Sequence, residues 1–207
     1  MNIPLTLELV AVGVCAVTGV LAAEGKQVDL FGVLVLAVVT AFGGGTVRDL
    51  LLGDLPVAWL RNPYYLLTAV SVGLGTFVVA RYRPLPRTVL LVADAFGLAL
   101  FTLIGTQKGL AFNVAVPVAV LLGVITGVAG GILRDVLTGT IPLVFRPAIY
   151  LYATAALCGA VVYVLVLRWT PTETVAAISG IVTTLGLRLA AIRWKLGLPL
   201  FHVRAGE

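Results

Sequence analysis

Two short segments of this 207-residue chain carry charge inside long apolar stretches. Residues 43–56 read GGGTVRDLLLGDLP and residues 129–142 read AGGILRDVLTGTIP. At an offset of 86, with no gap, seven of fourteen positions are identical: Gly44/Gly130, Gly45/Gly131, Arg48/Arg134, Asp49/Asp135, Leu51/Leu137, Gly53/Gly139 and Pro56/Pro142. Shared apolar composition gives coincidences of leucine and valine, not of arginine, aspartate and proline. Charges at such depth are costly and normally face the interior of a helix bundle. Their chemistry is electrostatic: holding, guiding or repelling an ion.

The glycines come first in each segment. Gly43, Gly44 and Gly45 each destabilise a continuous helix by roughly 1 kcal/mol relative to alanine. They permit a kink and a close helix approach, and the expectation is a broken helix. Freed backbone must then be satisfied by protein or by water in a cavity. A half-helix after the break would present a positive dipole end, and the residues before it would expose carbonyl oxygens to a cation. Arg48-Asp49 and Arg134-Asp135 follow. Sequence neighbours point about 100° apart on a helix, so the repeat predicts crossed pairs, Arg48 with Asp135 and Arg134 with Asp49. Two roles remain open for these charges, an ion-pair lock between the repeats or the lining and gating of a pathway. Gly53 with Pro56, and Gly139 with Pro142, read as helix ends. Glu8 and Asp94 add acids to apolar spans, and acids facing a pore favour cations. Lys108 beside a turn reads as an interfacial lysine.

Other chemistry is poorly served. The one histidine, His202, lies in the C-terminal tail, so no histidine-based triad or cluster is available. The glycine run lacks the Lys-Ser/Thr of a phosphate-binding loop. Cys15 and Cys158 lie in apolar stretches and read as small buried residues without a disulfide or metal framework. No enzyme and no cofactor is expected. The first stretch lacks a basic leader and carries Glu8, against a cleavable signal peptide.

These residues must be positioned by membrane helices. The chain is 60% hydrophobic and 11% charged, with a mean hydropathy of +1.12, whereas a soluble domain carries about 25% charged residues. The net charge of +5 sits in short loops and the tail, the pattern of a membrane protein rather than a nucleic-acid binder. Apolar stretches near 5–23, 30–53, 64–80, 88–107, 114–139, 148–167 and 174–192 are long enough to cross roughly 30 Å of hydrocarbon. The turns between them carry Glu24-Gly25-Lys26, Arg61-Asn62-Pro63, Pro84, Pro86, Lys108-Gly109, Arg146-Pro147 and Thr170-Pro171.

The whole 1–207 chain thus reads as one all-α membrane domain. The 86-residue offset also pairs Glu8 with Asp94 and Gly19 with Gly105, and the third spans align at offset 84, Pro63 on Pro147. Residues 5–83 therefore form a first three-helix repeat and 88–168 a second, with 172–195 a seventh helix without a counterpart. Three is odd, so the copies enter the membrane from opposite faces, an arrangement that places a pathway at the repeat interface. Lys26, Arg81, Arg83, Arg87, Arg146, Arg188, Arg193, Lys195 and Arg204 share the side of the C-terminus, against Arg61, Lys108 and Arg168 on the other. Nine against three puts the C-terminus in the cytoplasm and the N-terminus outside. Trp59, Trp169 and Trp194 fall at span ends, where an aromatic belt would put them.

The doubled motif GGGTVRD and AGGILRD, on three plus three plus one spans, resembles the prokaryotic trimeric intracellular cation channels over essentially the whole chain. The resemblance implies a homotrimer in the inner (plasma) membrane of a prokaryote, with a water-filled pore in each protomer. It implies permeation of monovalent cations, chiefly potassium. It also implies that spans two and five are kinked and line the pore, at Gly43, Gly44 and Gly45 and then at Ala129, Gly130 and Gly131. Ala129 departs from the glycine triplet, which would leave the second kink stiffer. Bacterial relatives of this type have also been described as small amino-acid transporters, glycine among them, and an inverted repeat with broken helices fits a carrier equally well.

Overall fold

The computed structural model describes residues 4–83, 85–146, 151–170 and 172–196. Pro84, Pro147, Pro171, His202 and Arg204 lie outside the described residues. Among those described, the chain is helical without strands. Helices α1 (Leu5–Ala22), α2 (Leu30–Leu52), the short α3 (Ala58–Arg61) and α4 (Pro63–Tyr82) make the first repeat. Helices α5 (Arg87–Ala111), α6 (Val116–Leu137) and α7 (Tyr152–Trp169), with a 3-10 turn at Leu143–Phe145, make the second, and α8 (Glu173–Trp194) follows. All but α3 are long and apolar enough to cross a membrane, seven spans in all. Large apolar side chains such as Phe31, Leu67 and Val182 stand exposed on the outside, as lipid-facing surface requires.

Lipid is as apolar as leucine, so these helices gain from close packing rather than from escaping solvent, and small residues mark the seams. A Cβ at Gly19 would fall 2.6 Å from the Leu36 carbonyl oxygen on α2. Its counterpart, Gly105, lies as tightly against Thr126 and Gly123 on α6. Gly159 and Gly180 form the equivalent seam between α7 and α8. At the centre α2 crosses α6. Thr40 lies against Gly130 and Gly44 against Thr126; one number rises as the other falls, so the helices run antiparallel, as inverted copies must.

The glycine triplet does not break its helix. Both α2 and α6 run continuously through it, because the glycines are used for contact rather than for backbone freedom. Freedom is used three turns' length or less further on, at the helix ends. Gly53 (φ 67°) and Gly139 (φ 65°) adopt the left-handed conformation. The next N–H reaches back to the Asp49 carbonyl (2.9 Å) in one repeat and to the Asp135 carbonyl (2.8 Å) in the other. This is the Schellman closure that favours glycine, and it explains the RD-xxx-G spacing: the aspartate whose carbonyl is capped lies four residues before the left-handed glycine in both repeats.

The tryptophans divide. Trp169 and Trp194 are exposed at helix ends, whereas Trp59 stacks on Phe42 at 5.1 Å and donates from Nε1 to Thr46, so it packs on α2 instead of joining a belt. Cys15 is partly enclosed, but Cys158 is exposed on α7, contrary to the buried expectation; both are free thiols.

Candidate functional site

Each repeat builds the same constellation near the end of its middle helix. In the first, Asp49 Oδ1 accepts from Arg48 Nε at 2.8 Å and Oδ2 accepts from the Ala58 backbone N–H at 2.8 Å. In the second, Asp135 Oδ1 accepts from Arg134 Nε at 2.8 Å and Oδ2 accepts from the Leu143 N–H at 2.7 Å. One carboxylate thus neutralises its arginine and pins the loop that leaves the helix. All four side chains are buried.

The crossed pairs expected from the repeat are therefore not formed. Each arginine lies four residues beyond its crossing glycine, and the helices are antiparallel, so Arg48 and Arg134 are carried toward opposite ends. Eight residues at 1.5 Å rise separate them by roughly 12 Å along the axis. The arginine stem is long enough to fold back onto the adjacent aspartate, which overrides the 100° angular separation.

The first helix and third helix complete each cluster. The Tyr65 hydroxyl donates to Glu8, and Glu8 lines a small cavity of about 30 Å³ with Arg48, Asp49 and Trp59. Asp94, the counterpart of Glu8, accepts from Arg134 Nη1 at 2.8 Å, and the Tyr152 side chain interacts with it. The acid, the Arg-Asp pair and the tyrosine thus recur in both repeats. Tyr65 and Tyr152 are 87 positions apart, not the 84 of the Pro63/Pro147 alignment.

The clusters then diverge. Lys108 bridges Asp49 Oδ1 (2.7 Å) and Asp54 Oδ2 (2.6 Å), so it is an ion-pair bridge rather than a snorkelling side chain. Arg61 closes the chain on Asp54 at 2.5 Å. The Lys108 ammonium holds the Asp54 carboxyl below its ordinary value, with burial opposing and Arg61 assisting. The second repeat has Thr140 in place of Asp54 and no lysine there. Its second cation is Arg188 of α8, whose guanidinium lies 4.6 Å from the centre of the Tyr152 ring. Arg188 is fully buried and does not belong with the loop cations, which leaves eight against three in the basic count. Composition hid it because arginine near a helix end reads as interfacial; its one signal was lying within the apolar 174–192 stretch.

Between the clusters lies the crossing. Gly44 and Gly130 are in backbone contact there, and Gly43 meets Leu133. Gly45 and Gly131 face their own arginines and stand freer, while Ala129 is half-buried on α6. Thr40 and Thr126 donate back to Leu36 and Leu122 at 2.6 Å, a further pair at offset 86. With Cys15, Thr18 and Asp94 these residues line a cavity of about 10 Å³, room for about one water. At the Arg134 end a recess of about 400 Å³ opens, lined by Glu24, Lys26, Arg87, Asp135 and Arg146. Three separate polar cavities thus lie at Glu8, at the threonines with Asp94, and at the recess beside Asp135.

A family model described as Glycine transporter matches residues 5–81 and again 91–168. The chain is 47% identical over 198 residues to the UPF0126 inner membrane protein YadS of Escherichia coli K12, covering 94% of both. It is 43% identical over 196 residues to a UPF0126 membrane protein of Vibrio cholerae, 94% of this chain and 81% of the other. Among solved structures it is similar to a TRIC trimeric intracellular cation channel orthologue from Rhodobacter sphaeroides. That similarity has a TM-score of 0.88 and 36% identity, covering 93% of this chain and 98% of the other. A second TRIC cation channel structure matches with a TM-score of 0.85 and 35% identity over 99% of this chain and all of the other.

Proposed function

We infer a function from one premise, that this chain belongs to the membrane-protein family whose model is described as Glycine transporter: it is a cation channel. Within that family the fold similarity is to TRIC cation channels, and the proposal is that this chain passes monovalent cations, potassium chiefly. The pathway is a polar axis through these cavities inside one protomer, lined by α2 and α6, and three protomers assemble as a homotrimer in the inner membrane. The N-terminus faces outward and the C-terminus the cytoplasm.

One observation carries the reading. An unpaired arginine in a narrow pore repels cations, and both buried motif arginines are neutralised where they stand, by Asp49 at one end and by Asp135 and Asp94 at the other. What remains in the narrow cavity beside them is threonine oxygen and carboxylate, oxygen ligands suited to a partly dehydrated cation, while Lys26, Arg87 and Arg146 stand in the wide recess beyond. The constriction of about 10 Å³ represents a closed state. Opening requires α2 and α6 to bend or part at Gly43–Gly45 and at Ala129–Gly131, which gives the glycine motif a gating role without a break in either helix.

The second reading, a carrier for a small amino acid such as glycine, is favoured by the family description alone. Planar-bilayer recording on purified protein separates the two. The channel gives unitary steps and a reversal potential on the potassium side of a potassium chloride gradient. A reversal potential on the chloride side rejects cation selectivity, and saturable glycine uptake without current establishes the carrier.

A further inference from the structure

We propose that Arg188 of α8 is a positioning residue of the pathway, acting through Tyr152 on Asp94. The inference rests on the reading of the polar axis as the route of permeation. The sequence repeat gives α8 no partner, so a helix added only for packing would need no buried cation. Yet Arg188 is 0% exposed in the middle of the bundle, and burying a guanidinium is costly unless nearby groups compensate. Its guanidinium carbon lies over the Tyr152 ring, 4.6 Å from the centroid, within the range of a cation–π contact. Tyr152 in turn interacts with Asp94, and its hydroxyl, Asp94 Oδ1 and Arg134 Nη2 all converge within 3.7 Å of where a Cβ on Gly131 would stand.

The repeat explains why such a residue is needed. In the first cluster Arg48, Lys108 and Arg61 face Asp49, Asp54 and Glu8, three formal charges of each sign. In the second, one guanidinium, that of Arg134, pairs with both Asp94 and Asp135. Arg188 adds a further positive charge on the Tyr152 side, from a helix outside the repeat. Its removal takes that charge away from Asp94 and frees Asp94 from a fixed Tyr152.

The test is a reversal-potential measurement across a potassium chloride gradient, on trimeric protein checked by size-exclusion chromatography. Arg188→Gln is expected to raise the potassium-to-chloride permeability ratio about threefold or more, because losing a positive charge at low effective dielectric favours cations over anions. Arg188→Lys keeps the charge and should stay near the parent. Tyr152→Phe keeps the ring for Arg188 but loses the hydroxyl, and should shift the ratio in the same direction as Arg188→Gln. If Arg188→Gln fails to fold, Tyr152→Phe decides alone. Parent-like reversal potentials in every variant that folds would overturn the inference while leaving the channel reading intact. A parent without current would remove the channel reading, and this inference with it.

Discussion

Gly44 and Gly130 meet across the antiparallel crossing of α2 and α6, each seated against the backbone of the other helix. A Cβ on Gly44 would fall 2.0 Å from the Thr126 carbonyl oxygen, and one on Gly130 would fall 2.5 Å from that of Thr40. No side chain can yield there, because the obstacle is backbone. The two sequence repeats therefore touch at the same residue of the same motif, and both glycines line the small cavity of about 10 Å³ at that seam.

Alanine at either position should force the helices apart. We expect Gly44→Ala and Gly130→Ala each to lower stability by about 1–3 kcal/mol, the usual range for overpacking. Gly45→Ala is the control: its Cβ would meet only the Arg48 guanidinium, at 3.7 Å. It should be neutral or slightly stabilising, since alanine is the better helix former. Thermal unfolding of the three variants in one detergent measures the difference, and leucine at 44 or 130 should also reduce flux. Equal behaviour at 44 and 45 would remove the crossing from the account.

Charge coupling is expected within each repeat and not between them. A double-mutant cycle on Asp94→Ala and Arg134→Ala should give an interaction of roughly 1–3 kcal/mol, as for contacting buried charges. The cycle on Arg48→Ala and Asp135→Ala should be additive within about 0.5 kcal/mol. Coupling in the second cycle would restore the crossed arrangement.

Lys108 gives the first cluster an acid limit. The folded Asp54 carboxyl titrates below its ordinary value of 3.8, held there first by its bond from Lys108. A depressed carboxylate contributes stability above its unfolded pKa and loses it as pH falls through the folded one. Asp54→Asn should therefore be less stable than the parent at neutral pH, and the gap should close below pH 3.8. Melting curves at pH 7 and in the acid range measure it; a gap independent of pH would assign Asp54 a role other than its charge.

Orientation follows from the basic residues. With Arg188 withdrawn to the core, eight Lys and Arg against three still predict a cytoplasmic C-terminus by the positive-inside rule. A reporter fused after Glu207 should be active only there, and periplasmic activity would reverse the two mouths.

Much of this was legible in the sequence because lipid imposes simple rules. Seven apolar stretches became seven helices within a few residues, since a span must satisfy its own backbone. The 86-residue offset exposed the inverted repeat, because Arg48/Arg134 and Gly53/Gly139 coincide too specifically for composition. Contacts between side chains were another matter. Sequence spacing places Arg48 and Asp49 about 100° apart, but only the antiparallel crossing shows that Asp135 is out of reach and that the arginine must fold onto its neighbour. It marks Gly43 to Gly45 as permissive without deciding between a break and a close approach, a choice made by Thr126 arriving on the facing helix. Arg188 is marked only by its place inside an apolar stretch and Tyr152 not at all, since their meeting depends on α8 packing beside α7, a contact between helices that no repeat encodes.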